Sequence, residues 1–219
     1  MDSNPRSEIF DSWSEDYDQD VHSGEFPFEG YSQVLATVLR EASLEPGMAV
    51  LELGPGTGIL TARLVDLGCR VLALDFSAKM IEKAQARAPR ARFVQADLLG
   101  EWPDEMGDEL FDRILSTYLF HEFRQPVKVR LLRRLAGRLA PGGRIVLGDI
   151  AFPDGRTRAA AMVQHPDEWD EEEESWAAEE DLSTLAAAGL RGSYTQVSSC
   201  GGVFVIEPGE DWAMGISPG

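Results

Sequence analysis

The stretch Ala49-Val50-Leu51-Glu52-Leu53-Gly54-Pro55-Gly56-Thr57-Gly58 joins an apolar run, a carboxylate and three glycines. Glycine lets the backbone take φ > 0 and approach a ligand with no Cβ in the way, so this turn is where chemistry is expected. Dinucleotide-binding turns read G-x-G-x-x-G and present a helix N-terminus to a pyrophosphate. Here the third glycine comes one position early, and neither Ile59 nor Leu60 supplies another. Glu52, two residues ahead of Gly54, repels a phosphate and attracts an ammonium or sulfonium group. Spacing and charge favour a cationic nucleoside ligand and oppose a nicotinamide-dependent reductase.

Later runs also end in acids. Residues 70–75 read as a strand closing on Asp75, roughly 20 residues past the glycine turn, where an acid is placed to accept both hydroxyls of a ribose. A third strand, 91–95, leads into Ala96-Asp97-Leu98, and a fourth, 111–116, into Thr117-Tyr118. Glu52, Asp75 and Asp97 therefore end successive predicted strands along one sheet edge. The local alternatives are that Asp97 caps a short helix and that Asp75 opens the turn before Ser77. Tyr118 and His121 follow the fourth strand, and an imidazole with an ordinary pKa near 6.5 can serve as base, acceptor-binding group or plain structural residue. Asp149 borders the same space. Trp13 and Tyr17, four apart, share a helical face and could either cover a cation with their rings or simply pack.

The elements that must carry these groups alternate. After a helix over 31–39, strands and helices succeed one another through Asp149, the pattern of a doubly wound α/β sheet with right-handed crossovers. A fifth strand, 144–149, precedes a helix near 156–164, then His165-Pro166 and the acidic run 167–175. That run reads as a solvated segment, although Trp169 and Trp176 raise the alternative of a mobile lid facing an amine-bearing acceptor. A helix over 182–188 ends at Gly189, and strands 193–199 and 203–207 flank Gly201-Gly202 as a hairpin. On a helix, Arg130, Arg133, Arg134 and Arg138 lie opposite Leu131, Leu135 and Leu139, a solvated face over a core face.

With 219 residues and 43% hydrophobic content the chain can bury one large core, so one domain is expected over 1–219. Its parts are a helical cap (1–45), a ligand-binding core (46–150), an insertion with lid helices (151–190), a hairpin (191–207) and a tail (208–219). A formal charge of -18 opposes approach to nucleic acid or an anionic membrane. Cys69 and Cys200 fit no metal or redox spacing, which suggests free thiols in a reducing, cytoplasmic setting. No signal pattern opens the chain, and no apolar run reaches the roughly 18 residues of a membrane span.

From about Trp13 to Glu207 the chain resembles the class I S-adenosylmethionine-dependent methyltransferases. Glu52-Leu53-Gly54-Pro55-Gly56-Thr57-Gly58 looks like that family's first motif, which lies against the methionine part of the cofactor. The resemblance implies that Asp75 holds the ribose hydroxyls and Asp97 the adenine amino group, with Phe76, Ala96 and Leu98 packed on the purine. Residues 111–118, including Ser116, are similar to the fourth strand whose end faces the reactive methyl, and Leu139-Ala140-Pro141-Gly142-Gly143 looks like the turn into the fifth. Residues 13–18 with 116–121 are similar to the small bacterial YrrT-like enzymes. A Rossmann-like, mostly parallel seven-stranded sheet with one antiparallel strand is implied. So is direct in-line methyl transfer to a small molecule, with Trp13 and Tyr17 over the cofactor and His121, Tyr118 and Tyr17 as catalytic candidates. The alternative function is a noncatalytic module that binds S-adenosylmethionine or S-adenosylhomocysteine.

Overall fold

A computed structural model describes residues 18, 21, 23–210 and 212. Trp13 and Tyr17 lie outside the described residues. The centre is a sheet of strands in the order β3-β2-β1-β4-β5-β8-β7. These are β1 (Ala49–Leu53), β2 (Arg70–Asp75), β3 (Arg92–Gln95), β4 (Phe111–Thr117), β5 (Leu139–Phe152), β7 (Leu190–Gln196) and β8 (Gly201–Pro208). Strands β1 to β5 pair in parallel, whereas β8 runs antiparallel to both β5 and β7, so one strand opposes the rest. The expected sheet is therefore the observed one.

Strands buried on both faces read as unbroken apolar runs, and β1 is buried at every position. Its alternation still sorts the core: Leu51 and Leu53 join Leu74, Ile114 and Leu147 on one side, while Val50 joins Ala73, Leu115 and Val146 on the other. Helix α1 (Tyr31–Ala42) covers the second face through Tyr31, Val34, Leu35 and Val38. Helices α2 (Ile59–Asp66) and α3 (Ala78–Arg87) follow β1 and β2, and α4 (Gln125–Ala136) precedes β5. Ser77 caps α3 by accepting the Met80 N–H at 3.2 Å. Gly58, with φ 83°, opens α2, and a Cβ there would stand 2.9 Å from the Ala84 backbone, so only glycine lets α2 and α3 pack this closely.

The strand expectations change in detail, and the final hairpin turns over 197–200, with Gly201 and Gly202 inside β8. The fifth strand begins earlier and runs through Phe152, beyond which α5 (Gly155–Gln164) starts on the Asp154 cap. A short strand absent from the sequence reading, β6 (Trp176–Ala177), pairs with Ala151 and Phe152, and α6 (Ala178–Ala187) follows directly. The arginines of α4 keep to solvent as expected, with Arg130, Arg133 and Arg134 exposed and Arg138, past its C-terminal end, half-buried. Arg134 lies 3.9 Å over the Trp102 ring and donates to the Gly100 carbonyl at 2.7 Å, fastening the loop ahead of β4. Both cysteines are free and buried, and no helix among the described residues is long and apolar enough to cross a membrane.

Candidate active site

A cleft opens where β1, β2 and β4 end. Gly54, Gly56, Asp75, Phe76, Leu98 and Tyr118 all line it, as the sequence proposes. Leu74, Met80, Thr117 and Leu119 also line it, and the sequence reading missed them. Their signal was positional: Met80 stands in the first turn after Asp75, and Leu119 follows the β4 exit. Open α/β sheets bind ligands outside the carboxyl ends of their strands, and this cleft has that location. Gly54 takes φ 61°, and Leu119 packs so near that an added Cβ would meet its Cδ2 at 3.0 Å. The glycine thus serves both the loop conformation and the cleft wall.

Asp75 organises the loop. One carboxylate oxygen accepts the Ser77 N–H at 2.9 Å and the other the Gly56 N–H at 3.3 Å. A carboxylate offers about four acceptor sites, so these bonds can coexist with hydroxyl donors from a ligand. Glu52 sits a layer deeper, 1% exposed and on the α1 side of the sheet, and is not part of the cleft wall. Burial pushes its pKa up to about 7, the Asp75 charge adds to the rise, and Thr61 beside it opposes it. Its Oε2 has no hydrogen-bond partner among the described residues, an unusual state for a buried carboxylate.

Other predicted residues are placed differently. Asp97 is exposed and accepts the Leu99 N–H at 2.9 Å, the local turn rather than the cleft. Ala96 is half-buried outside the wall. The Ser116 hydroxyl donates to the Leu53 carbonyl at 2.8 Å, tying the ends of β1 and β4 together. Thr57 and Arg87 meet Asp18: the Thr57 hydroxyl donates to its Oδ1 at 2.5 Å and Arg87 forms an ion pair with Oδ2. Arg87 also donates to the Thr57 carbonyl at 3.0 Å, so one guanidinium joins Asp18 to the glycine turn.

Tyr118 adopts φ 51°, a left-handed conformation rare for a bulky residue and held by its N–H donating to the Gly148 carbonyl at 2.8 Å. Its ring packs 5.4 Å from Phe28 and 5.2 Å from Tyr31, and its hydroxyl is buried with no hydrogen-bond partner among the described residues. Burial drives the phenol pKa far above its ordinary value, so the ring is a wall and not a ready proton carrier. His121 meets Asp149 instead: Nδ1 lies 2.6 Å from Oδ1 and the main-chain N–H donates to Oδ2 at 2.9 Å. The Asp149 charge outweighs burial and raises the His121 pKa, while His121, Trp176 and Lys128 hold Asp149 below the usual carboxylate range.

The insertion closes against this pair. The Glu174 N–H donates to the His121 carbonyl at 2.7 Å, and Trp176 is fully buried with its indole N–H on Asp149 at 2.9 Å. Trp176 is thus core, not part of a solvated run, while Glu168, Asp170, Glu171 and Glu172 are exposed as expected. A second cleft lies beside it, with Phe26 and Trp169 as aromatic walls and Glu168, Asp170 and Glu173 as acids. The Phe26 ring stacks 4.3 Å from His165 and 6.1 Å from Trp169.

The model of a family described as "Methyltransferase domain" matches residues 50–143. A protein of Geobacillus kaustophilus named as an uncharacterized methyltransferase is 37% identical over 152 residues, 67% of each chain. The uncharacterized methyltransferase YrrT of Bacillus subtilis is 30% identical over 70% of this chain and 71% of its own. Among solved structures, a DhpI–SAM–HEP complex matches with a TM-score of 0.72 at 22% identity, covering 95% of this chain and 99% of that one. Magnesium protoporphyrin IX methyltransferase of Synechocystis with bound SAH matches with a TM-score of 0.68 at 17% identity, covering 92% and 97%. At these identities the structural likeness is one of fold.

Proposed function

The chain belongs to the methyltransferase family, and from that premise we propose that it moves a methyl group from S-adenosylmethionine to a small-molecule acceptor. The observation that carries the proposal is the cleft at the ends of β1, β2 and β4, with Asp75 on its wall and the buried Glu52 behind it. Asp75 is the ribose-binding acid, Phe76 and Leu98 supply apolar surface for a purine, and Gly54 and Gly56 let the backbone approach the amino-acid end. Glu52 carries negative charge toward a cationic ligand that has no phosphate. The solved SAH and SAM complexes of the same fold support this choice of donor.

Bound there, S-adenosylmethionine supplies an electrophilic methyl group on a positively charged sulfur. The chain's own task is to align the partners and exclude water, and such positioning can supply on the order of 7–11 kcal/mol of a barrier. Leu119 and Tyr118 form the cleft wall on the β4 side, and His121 follows in the short turn Phe120–Glu122, behind that wall, with its ring fixed by Asp149. There His121 acts on the acceptor as base or binding group.

The acceptor, in this reading, is neutral or amine-bearing and enters beside the insertion. The acids and aromatic rings of the second cleft, together with a formal charge of -18, concentrate cations and disfavour polyanions. Metabolite pools supplied with labelled donor at low and high salt provide the test. Transfer to neutral or amine compounds is expected. Selective methylation of a polycarboxylate, a phosphorylated compound or nucleic acid overturns the acceptor class and leaves the donor assignment standing.

A further inference from the structure

The turn after β4 presents a cluster that methyl transfer leaves partly unused. His121 is 7% exposed, and Asp149 takes its Nδ1 side at 2.6 Å. A carboxylate so placed keeps the proton on Nδ1 and leaves the Nε2 lone pair aimed away from Asp149. Nε2 makes no hydrogen bond among the described residues. It faces two further carboxylates, with Glu122 Oε1 and Glu173 Oε1 each 3.8 Å away. All three atoms lie within 4.8 Å of one another.

The distances distinguish two explanations. A second proton on Nε2 would draw a carboxylate to the 2.7–2.9 Å of a charge-assisted hydrogen bond, roughly an ångström shorter than either contact. An ion about 2.0–2.2 Å from each ligand separates opposed ligand atoms by up to roughly 4 Å, which is the scale of these gaps. We propose that His121 Nε2, Glu122 and Glu173 form a divalent cation site, with Asp149 as the outer partner that orients the imidazole. One imidazole with two carboxylates suits Mn²⁺, Fe²⁺, Co²⁺ or Zn²⁺ better than the all-oxygen preference of Ca²⁺ or the thiolate preference of softer ions. The cysteine spacing gave no hint of it, because no cysteine takes part.

Glu173 also lines the acidic cleft beside Phe26 and Trp169, so the ion stands on that cleft's wall. Three protein ligands leave coordination positions open. If methyl transfer proceeds as proposed above, on which this role rests, an oxygen or nitrogen of the acceptor takes one of them and is deprotonated more easily. Nε2 has a single lone pair, so with the ion bound His121 takes the binding role and not the role of base, and the acceptor's proton leaves to solvent water.

The test omits the methyl donor, so its result is independent of the donor assignment. The full chain is stripped with a chelator, dialysed, and titrated with MnCl₂, CoCl₂ or ZnCl₂ alone, by calorimetry and, for Co²⁺, by visible absorption. One equivalent per chain is expected, with at least tenfold weaker binding in Glu173→Gln and in Glu122→Gln. Circular dichroism and the urea midpoint of both variants establish that they are folded. Absence of stoichiometric binding up to millimolar ion, or equal affinity in the parent and both folded variants, overturns the site.

Discussion

The Asp149 carboxylate grips His121 twice, accepting its main-chain N–H at 2.9 Å on one oxygen and meeting its Nδ1 at 2.6 Å on the other. It also accepts the Trp176 indole N–H and the Ile150 N–H, each at 2.9 Å, while 1% exposed. One buried side chain therefore joins the turn after β4, strand β5 and the end of the insertion.

Replacing it by its isostere should be costly. Asp149→Asn turns an acceptor oxygen into a donor facing other donors and removes the charge opposite Lys128. Breaking one side of a buried charged network typically costs about 3–5 kcal/mol. Urea unfolding measures this, and a variant within about 0.5 kcal/mol of the parent would show that the network is not what holds the insertion down.

Asp75→Ala should weaken S-adenosylhomocysteine by roughly 10- to 100-fold, since hydrogen bonds to a charged group are worth about 1.5–3 kcal/mol. Asp75→Asn should lose less, because one acceptor remains. Calorimetry on folded variants decides, with NAD as the control ligand that should not bind. Parent-like affinity in Asp75→Ala would falsify the ribose assignment.

Glu52 gives a pH signature. Its folded pKa of about 7 lies above the ordinary 4.5, so between those values the unfolded chain is ionised while the folded chain keeps the proton. Stability contributed by this group is complete below about pH 4.5 and falls as pH rises to about 7, by roughly 2–3 kcal/mol. Glu52→Gln should remove that slope and be more stable than the parent at pH 8. Because a cationic ligand favours the ionised carboxylate, cofactor affinity should rise between pH 6 and 8 in the parent and stay flat in the variant. Parallel pH profiles for the two proteins would rule this out.

The Asp18–Arg87–Thr57 junction should govern the N-terminal segment. Arg87→Ala is expected to speed hydrogen exchange around Asp18 and the glycine turn, leave the sheet protected, and weaken S-adenosylhomocysteine severalfold. Exchange near Asp18 that ignores both the substitution and the ligand argues against closure by this segment.

The sheet was legible in the sequence because its strands are buried on both faces and read as uninterrupted apolar runs closed by acids or glycines. Part of the cleft lining was legible for a related reason: Gly54, Gly56 and Asp75 stand at strand ends, and local spacing determines that. Asp97 was not, since one acid looks alike whether it faces a ligand or caps its own turn at Leu99. The Ser116 hydrogen bond was not legible because its partner is a carbonyl 63 positions earlier. Trp176 and Glu173 were hidden by composition. The acidic stretch around them signals solvent, and only the pairing of β6 with β5 brings one into the core and the other against His121.

The two clefts draw on separate stretches of chain. The first takes its walls from residues 54–119, whereas the acids and one aromatic wall of the second come from residues 168–173. The later stretch is fastened at a few points, chiefly His121, Lys128 and Asp149. On the proposed reading, in which the second cleft receives the acceptor, the interval between β5 and β6 is a cassette that engineering can exchange while retaining those anchors, changing acceptor preference without touching the glycine turn.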